Sequence, residues 1–231
     1  MKKYIIIPLI LFVSALYGHA QCTNPFYEFK EGTKIFMQNY DGENQLQGKT
    51  ETEVKDVTET VNGFKTTVAL KVIDKDNKII SEGSYGMECD NGTVKLDLSG
   101  FIPTKSLMAF GDMDIKVEME EMEIPAKLYP GQELKDASLT ISAVNSPFPL
   151  SMQVIMKDRK IEGKQTVTTP AGTFECYKLT YDMVIDFMMG SLVMKNVQYL
   201  TEKLGAVKTE TYDSDNKLLN YTVLQKVEYG L

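Results

Sequence analysis

From Thr33 to Tyr229 apolar and polar residues alternate in short runs, and each run ends in residues that favour turns. Thr33–Tyr40 and Leu46–Val57 flank DGEN, and Phe64–Asp74 and Lys78–Cys89 flank the DKDN segment. Thr93–Leu98 follows Asn91-Gly92, a tight-turn pair. Asp112–Ile124, Ala137–Val144, Leu150–Arg159, Ile161–Thr168, Phe174–Met189, Leu192–Leu200, Ala206–Asp213 and Lys217–Tyr229 bring the total to about thirteen strands. This pattern predicts an all-β, mainly antiparallel fold: a curved sheet, an open barrel or a β-sandwich, with at most one or two short helices. One candidate helix lies within Phe101–Gly111, after Pro103, and reads equally well as a packed loop. IPAKLYPGQEL and NSPFPL are connectors. The first, near residues 125–131, is where a two-half organisation of an otherwise single domain would have its seam.

One strand stands out. Tyr177, Leu179, Tyr181, Met183, Ile185, Phe187 and Met189 form an apolar stripe along one face of Phe174–Met189, with Lys178, Thr180, Asp182, Val184 and Asp186 opposite. Met113, Ile115, Val117 and Met119 form a similar face on Asp112–Ile124, opposite Asp114, Lys116, Glu118 and Glu120. Methionine is unbranched and polarisable, so a methionine-rich lining adapts to varied apolar partners. Burial in an ordinary core produces the same alternation. Two readings follow. In one, Tyr177, Leu179, Tyr181, Met183, Ile185, Phe187, Met113 and Met119 wall a pocket for an apolar ligand, with Phe101–Gly111 as its lid. In the other, they fill a closed core.

The first twenty residues change the compartment. Lys2 and Lys3 precede the apolar run Tyr4–Tyr17, and Gly18 and Ala20 supply the small residues of a cleavage site. The expectation is an export signal over residues 1–20, followed by one exported β-rich domain, 21–231, in the periplasm or at the outer membrane. Fourteen apolar residues are short for a membrane span. Gln21 and His19 fit a lipidation signal at Cys22 poorly.

Removing the leader takes two lysines and no acid, so the formal net charge moves from −7 to −9. With no basic cluster, nucleic acid is not an expected partner. The single histidine, His19, leaves with the leader, which excludes histidine-based triads and histidine-ligated metals. Cys22, Cys89 and Cys176 remain; in an oxidising compartment the favoured pair is Cys22–Cys89, with Cys176 buried and free, although three pairings are open.

Carboxylates are plentiful but find structural explanations. Asp74, Asp76 and Asn77, like Asp213, Asp215 and Asn216, look like the start of a calcium loop, but Lys78 or Lys217 holds the fifth position with no glycine after it, and they read as hairpin turns. Glu118, Glu120, Glu121 and Glu123 have no marked partner across a cleft, and the first two share a face that sorts to solvent. No catalytic residue, metal or cofactor is expected.

Four blocks, FKEGTKIFMQNYDGENQLQGKTETEV (29–54), IPAKLYPGQELKDASLTI (124–141), QTVTTPAGTFECYKLTY (165–181) and LTEKLGAVKTETYDSDNKLL (200–219), resemble the exported TapB-like proteins of Bacteroidetes-type bacteria, which carry a domain of unknown function. The most specific block is TPAGTFECYKL. The resemblance implies a β-rich exported domain akin to curved-sheet envelope carriers, with Pro170 and Gly172 making a turn, Phe174 and Tyr177 packing, and Gly205 permitting a bend. It supplies no catalytic residues. The expectation is a non-enzymatic envelope protein that binds a lipid, acyl chain or other apolar ligand without covalent chemistry. The alternative is a structural module that engages an envelope protein partner.

Overall fold

The structure, a computed structural model, describes residues 22, 24–27, 30–97, 114–144, 151–187 and 190–230. Thirteen strands and no helix occur among them: β1 Lys34–Asp41, β2 Leu46–Thr60, β3 Gly63–Asp74, β4 Ile79–Asp90, β5 Thr93–Leu96, β6 Ile115–Glu120, β7 Met122–Ile124, β8 Ala137–Ala143, β9 Ser151–Thr169, β10 Gly172–Phe187, β11 Gly190–Thr201, β12 Gly205–Tyr212 and β13 Leu218–Glu228. All join one antiparallel sheet in the order β6-β8-β9-β10-β11-β12-β13-β1-β2-β3-β4-β5-β7, nearly closed into a barrel.

The strand number agrees with the alternation, through two compensating differences. The run Asp112–Ile124 is one stretch of chain but serves two ladders. Its first half, β6, pairs with β8 (Val117 opposite Ile141), and its second, β7, pairs with β5 (Leu96 opposite Met122). Only Glu121 separates them, so this run brings the two ends of the sheet together. Conversely, Leu150–Arg159 and Ile161–Thr168 fuse into the single long β9. Asp158 adopts φ 56° there, and the β9–β10 register slips between Thr180 and Asp182. A bulge of this kind bends a strand without ending it.

Three hairpins share one turn chemistry. Asp41 Oδ1 accepts the backbone N–H of Glu43 and Gln45, Asp74 Oδ1 those of Asp76 and Lys78, and Asp213 Oδ1 those of Asp215 and Lys217, all at 2.8–3.0 Å. Asn44, Asn77 and Asn216 each stand at φ 62°. Asparagine tolerates that left-handed conformation, and the aspartate satisfies amides that the reversal would otherwise leave open.

The N-terminal segment is stitched across the closure. Cys22 is bonded to Cys89 on β4, with Cα atoms 5.8 Å apart, and Cys176 is buried and free. Asn24 Nδ2 donates to the carbonyls of Gly92 (3.0 Å) and Ile124 (2.9 Å), and Phe26 packs edge-on against Tyr177 at 5.7 Å. On the other side of β7, residues 131–134 run along β9: Gly131 N–H donates to Ile161 O at 2.7 Å and Leu134 N–H to Arg159 O at 2.8 Å. Arg159, the only arginine in the chain and 1% exposed, completes this seam. Its Nη2 donates to Glu123 O on β7 at 3.0 Å, and its Nη1 donates to Lys135 O. A guanidinium with five donors suits this task, because it can reach carbonyls of two segments at once: Glu123 on the terminal strand β7 and Lys135 outside any strand.

The candidate ligand cavity

Inside the sheet lies a partly enclosed cavity of about 260 Å³. Its main wall is built by adjacent cross-strand rows, since residues directly opposite in a ladder share a face. Ile35 on β1 faces Thr52 on β2; Val54 on β2 faces Val68 on β3, which faces Tyr85 on β4; Met87 on β4 faces Leu96 on β5, which faces Met122 on β7. Gln198 of β11 and Leu204 and Ala206 near the start of β12 line it too.

The cavity parts the interior into two packed regions. One cluster holds Phe26, Val68, Met87, Leu96, Met122, Ile161, Leu179 and Tyr181, while a second holds Val167, Cys176, Tyr199, Val207 and Leu224, with Ile35, Met37 and Leu204 against it. Both clusters contribute cavity walls: Val68, Met87 and Met122 from the first, Ile35, Met37 and Leu204 from the second. An apolar void of about 150 Å³ is already known to admit a benzene-sized guest, so this one has room for a small apolar molecule.

The turn 201–204 borders the cavity and is held by the N-terminal segment. Lys203 N–H donates to Pro25 O at 2.6 Å, Gly205 N–H donates to Phe26 O at 2.7 Å, and Tyr27 forms an isolated bridge with Leu204. Gly205 has φ +67°, and a Cβ there would lie 2.6 Å from a ring carbon of Tyr27. The bend assigned to this glycine therefore also makes room for an aromatic wall residue. Burial pushes the Tyr27 hydroxyl up to about 12, against the opposing pull of the Arg159 charge. Burial also raises Tyr85, with the nearby Tyr27 adding to it, and Tyr181, opposed by Arg159. These phenols stay neutral at ordinary pH and present hydroxyls, not charge, to the interior.

The β10 stripe lies on the same face. Leu179 is directly opposite Gln198, a cavity residue, and Tyr181 is opposite Asn196. Leu179 is 0% and Tyr181 5% exposed, packed in the first cluster with Tyr177 and Met183 beside them. None of the described stripe residues lines the cavity. Ile185 is half-buried, Phe187 is 50% exposed, and Met119 on edge strand β6 is 36% exposed; Met113 lies outside the described residues, as do Met189 and the candidate helix or lid at 101–111. Sequence reasoning missed the cavity methionines Met37, Met87 and Met122. Each sits singly on a different strand, so no local apolar run marks them.

Several carboxylates elsewhere are engaged. Glu118 pairs with Lys116 at 2.7 Å, and Glu123 with Lys135 at 3.7 Å. Glu210 accepts from Tyr199 Oη at 3.0 Å and Tyr212 Oη at 2.9 Å and pairs with Lys208 at 2.6 Å. On the face of β2–β4 turned away from the cavity, Lys71–Glu82 at 3.1 Å and Lys49–Glu51 at 3.3 Å alternate charges. No helix among the described residues is long and apolar enough to cross a membrane.

Two crystal structures share this architecture. One is a protein from Bacteroides fragilis, provisionally described as exported and as having a YmcC-like fold: 21% identical, TM-score 0.71, covering 88% of this chain and 98% of its own. The other, from Parabacteroides distasonis, is provisionally described as a lipoprotein: 24% identical, TM-score 0.69, covering 89% of this chain and 99% of its own. No curated protein matches the chain. The profile of the DUF3108-like family matches residues 30–224, which span the barrel from before β1 into β13, and the chain belongs to that family.

Proposed function

We propose that this is an exported cell-envelope protein that binds an apolar or amphiphilic molecule, such as an acyl chain, without covalent chemistry or catalysis. The observation that carries the reading is the cavity of about 260 Å³ between the two core clusters, with Met37, Met87 and Met122 in its walls. A filled core leaves few voids larger than a water molecule, because each lost contact costs stability. A space this large, in a fold so well hydrogen-bonded around it, is what a binding protein keeps. Its volume lies near the lower end of ligand pockets, roughly 300 Å³, which suits one short chain better than a two-chain lipid. Leu179 and Tyr181, with Tyr177 and Met183 against them, pack in the first core cluster. The export-signal pattern of residues 1–20, the resemblance to TapB-like proteins and the descriptions of the two structural relatives all support an envelope location.

The test is displacement of an environment-sensitive dye by straight-chain alcohols of increasing length. Each buried methylene contributes about 0.8 kcal/mol, so affinity should rise roughly fourfold per carbon and then level off when the cavity is full. Ala206→Phe, which places a ring in the cavity, should shorten the length at which the plateau begins. An absence of dye binding, or affinity independent of chain length, refutes the carrier reading. It would favour a non-catalytic interaction module instead, for which the support is β6, an edge strand whose six residues are all exposed.

A further inference from the structure

The cavity carries a second signal, in a charged residue of its lining. Among the described residues that line it, Lys203 is the charged one. It is an exposed residue that also lines the cavity, so Lys203 belongs to the rim where the apolar compartment meets water. The chain as a whole is acidic, with a formal net charge of −7, so a cation at that place runs against the average.

The backbone at Lys203 is equally out of pattern. It adopts φ +70°, a conformation that disfavours residues with a long side chain. The other non-glycine residues with positive φ among the described residues are Asn44, Asn77, Asn91, Asp158 and Asn216, all of types that tolerate the left-handed region. Lys203 is the exception, held there by its N–H donation to Pro25 O at 2.6 Å and by the neighbouring Tyr27–Leu204 bridge. An asparagine or glycine would form this turn with less strain. A strained residue that the surroundings hold in place is a recurring mark of a functional position. Lys203 is also engaged within the fold; its place on the rim is what singles it out.

We infer that the ligand is an amphiphile with an anionic head: its chain fills the cavity and its head, a carboxylate or similar group, rests at the mouth against Lys203. This deepens the carrier reading and rests on it. The recognition is a charge-assisted hydrogen bond at the rim of an apolar site, with the chain supplying most of the affinity and the head its orientation and selectivity. An acidic protein repels free anions in general, so a rim lysine admits one only where a tail can also be buried.

The experiment compares decanoate with decanol, which has the same chain length and no charge, in dye displacement at neutral pH and low salt. The proteins are the wild type and Lys203→Asn, a substitution that removes the charge and suits the turn. A thermal melt of each establishes that the variant folds; its midpoint should equal or exceed that of the wild type. The wild type should bind decanoate, and Lys203→Asn should weaken decanoate by at least about fivefold while leaving decanol unchanged. Equal effects on both ligands, or no effect on decanoate, overturn the anionic-head assignment and leave the carrier reading standing. Failure of the wild type to bind either ligand overturns both.

Discussion

Arg159 offers the sharpest test of how the barrel is closed. Replacing it with alanine removes two donors from a buried seam: Nη2, 3.0 Å from Glu123 O on β7, and Nη1 to Lys135 O. Hydrogen bonds from a charged group contribute about 1.5–3 kcal/mol each, and the abandoned carbonyls add a desolvation cost in a site 1% exposed. Relief from burying the guanidinium charge offsets part of this loss, so the expected net destabilisation is about 3–5 kcal/mol. That is a large share of the roughly 5–15 kcal/mol that holds a typical domain folded. Arg159→Met keeps the stem, fills most of the volume and buries no charge, so it should cost less than alanine. Arg159→Lys, with a single compact head, cannot span both carbonyls and should not restore wild-type stability. Urea unfolding followed by tyrosine emission, since the chain has no tryptophan, measures the differences. Hydrogen exchange at Met122–Ile124 should accelerate in the alanine variant. An Arg159→Ala protein within about 1 kcal/mol of wild type, with β7 amides still protected, refutes the view that this side chain latches β7 to β9.

Other outcomes follow from the same geometry. The Cys22–Cys89 bond closes a loop with a sequence separation of 67, for which chain entropy predicts about 4 kcal/mol, so melting under reducing conditions should fall well below melting without reductant. Gly205→Ala sets a Cβ against the Tyr27 ring at 2.6 Å in a positive-φ position, and should cost about 1–3 kcal/mol in a denaturant titration. The Asp213 carboxylate organises its turn through two backbone amides at 2.9 Å, and its exposed setting limits Asp213→Ala to about 1 kcal/mol by the same method. The folded protein holds the Tyr27 proton up to about 12, above the ordinary phenol value of 10.0. Its contribution is therefore intact below pH 10 and lost as pH rises toward 12, so an ultraviolet titration should show tyrosine ionisation lagging in that window and stability declining through it. Tyrosines that all titrate near the ordinary value refute that burial.

The legible part of this fold is the part that local chemistry decides. Three Asp-to-Asn turns are readable because each aspartate bonds amides within four residues of itself and each asparagine needs only its own tolerance of positive φ. The strands between them are readable because a half-buried strand must alternate. The favoured pair Cys22–Cys89 was legible from the need to tie a loose end in an oxidising compartment. The candidate site was far less so. The stripe on β10 is a long unbroken apolar row, and its residues Tyr177, Leu179, Tyr181 and Met183 pack in the first core cluster, outside the cavity lining. The cavity wall is made of strands such as KIFMQNYD that look unremarkable singly and meet only through the order of the sheet.

The amino-acid sequence by itself determined the all-β class and the turns, since each depends on residue type and on neighbours a few positions away. Tertiary structure alone decided that one run of chain serves two ladders, that Arg159 bridges the closure, and that a void survives between Met87 and Met37. A void is the difference between the volume a curved sheet encloses and the volume its side chains fill. Alternation is identical whether that difference is zero or about 260 Å³, so only the closed barrel reveals it.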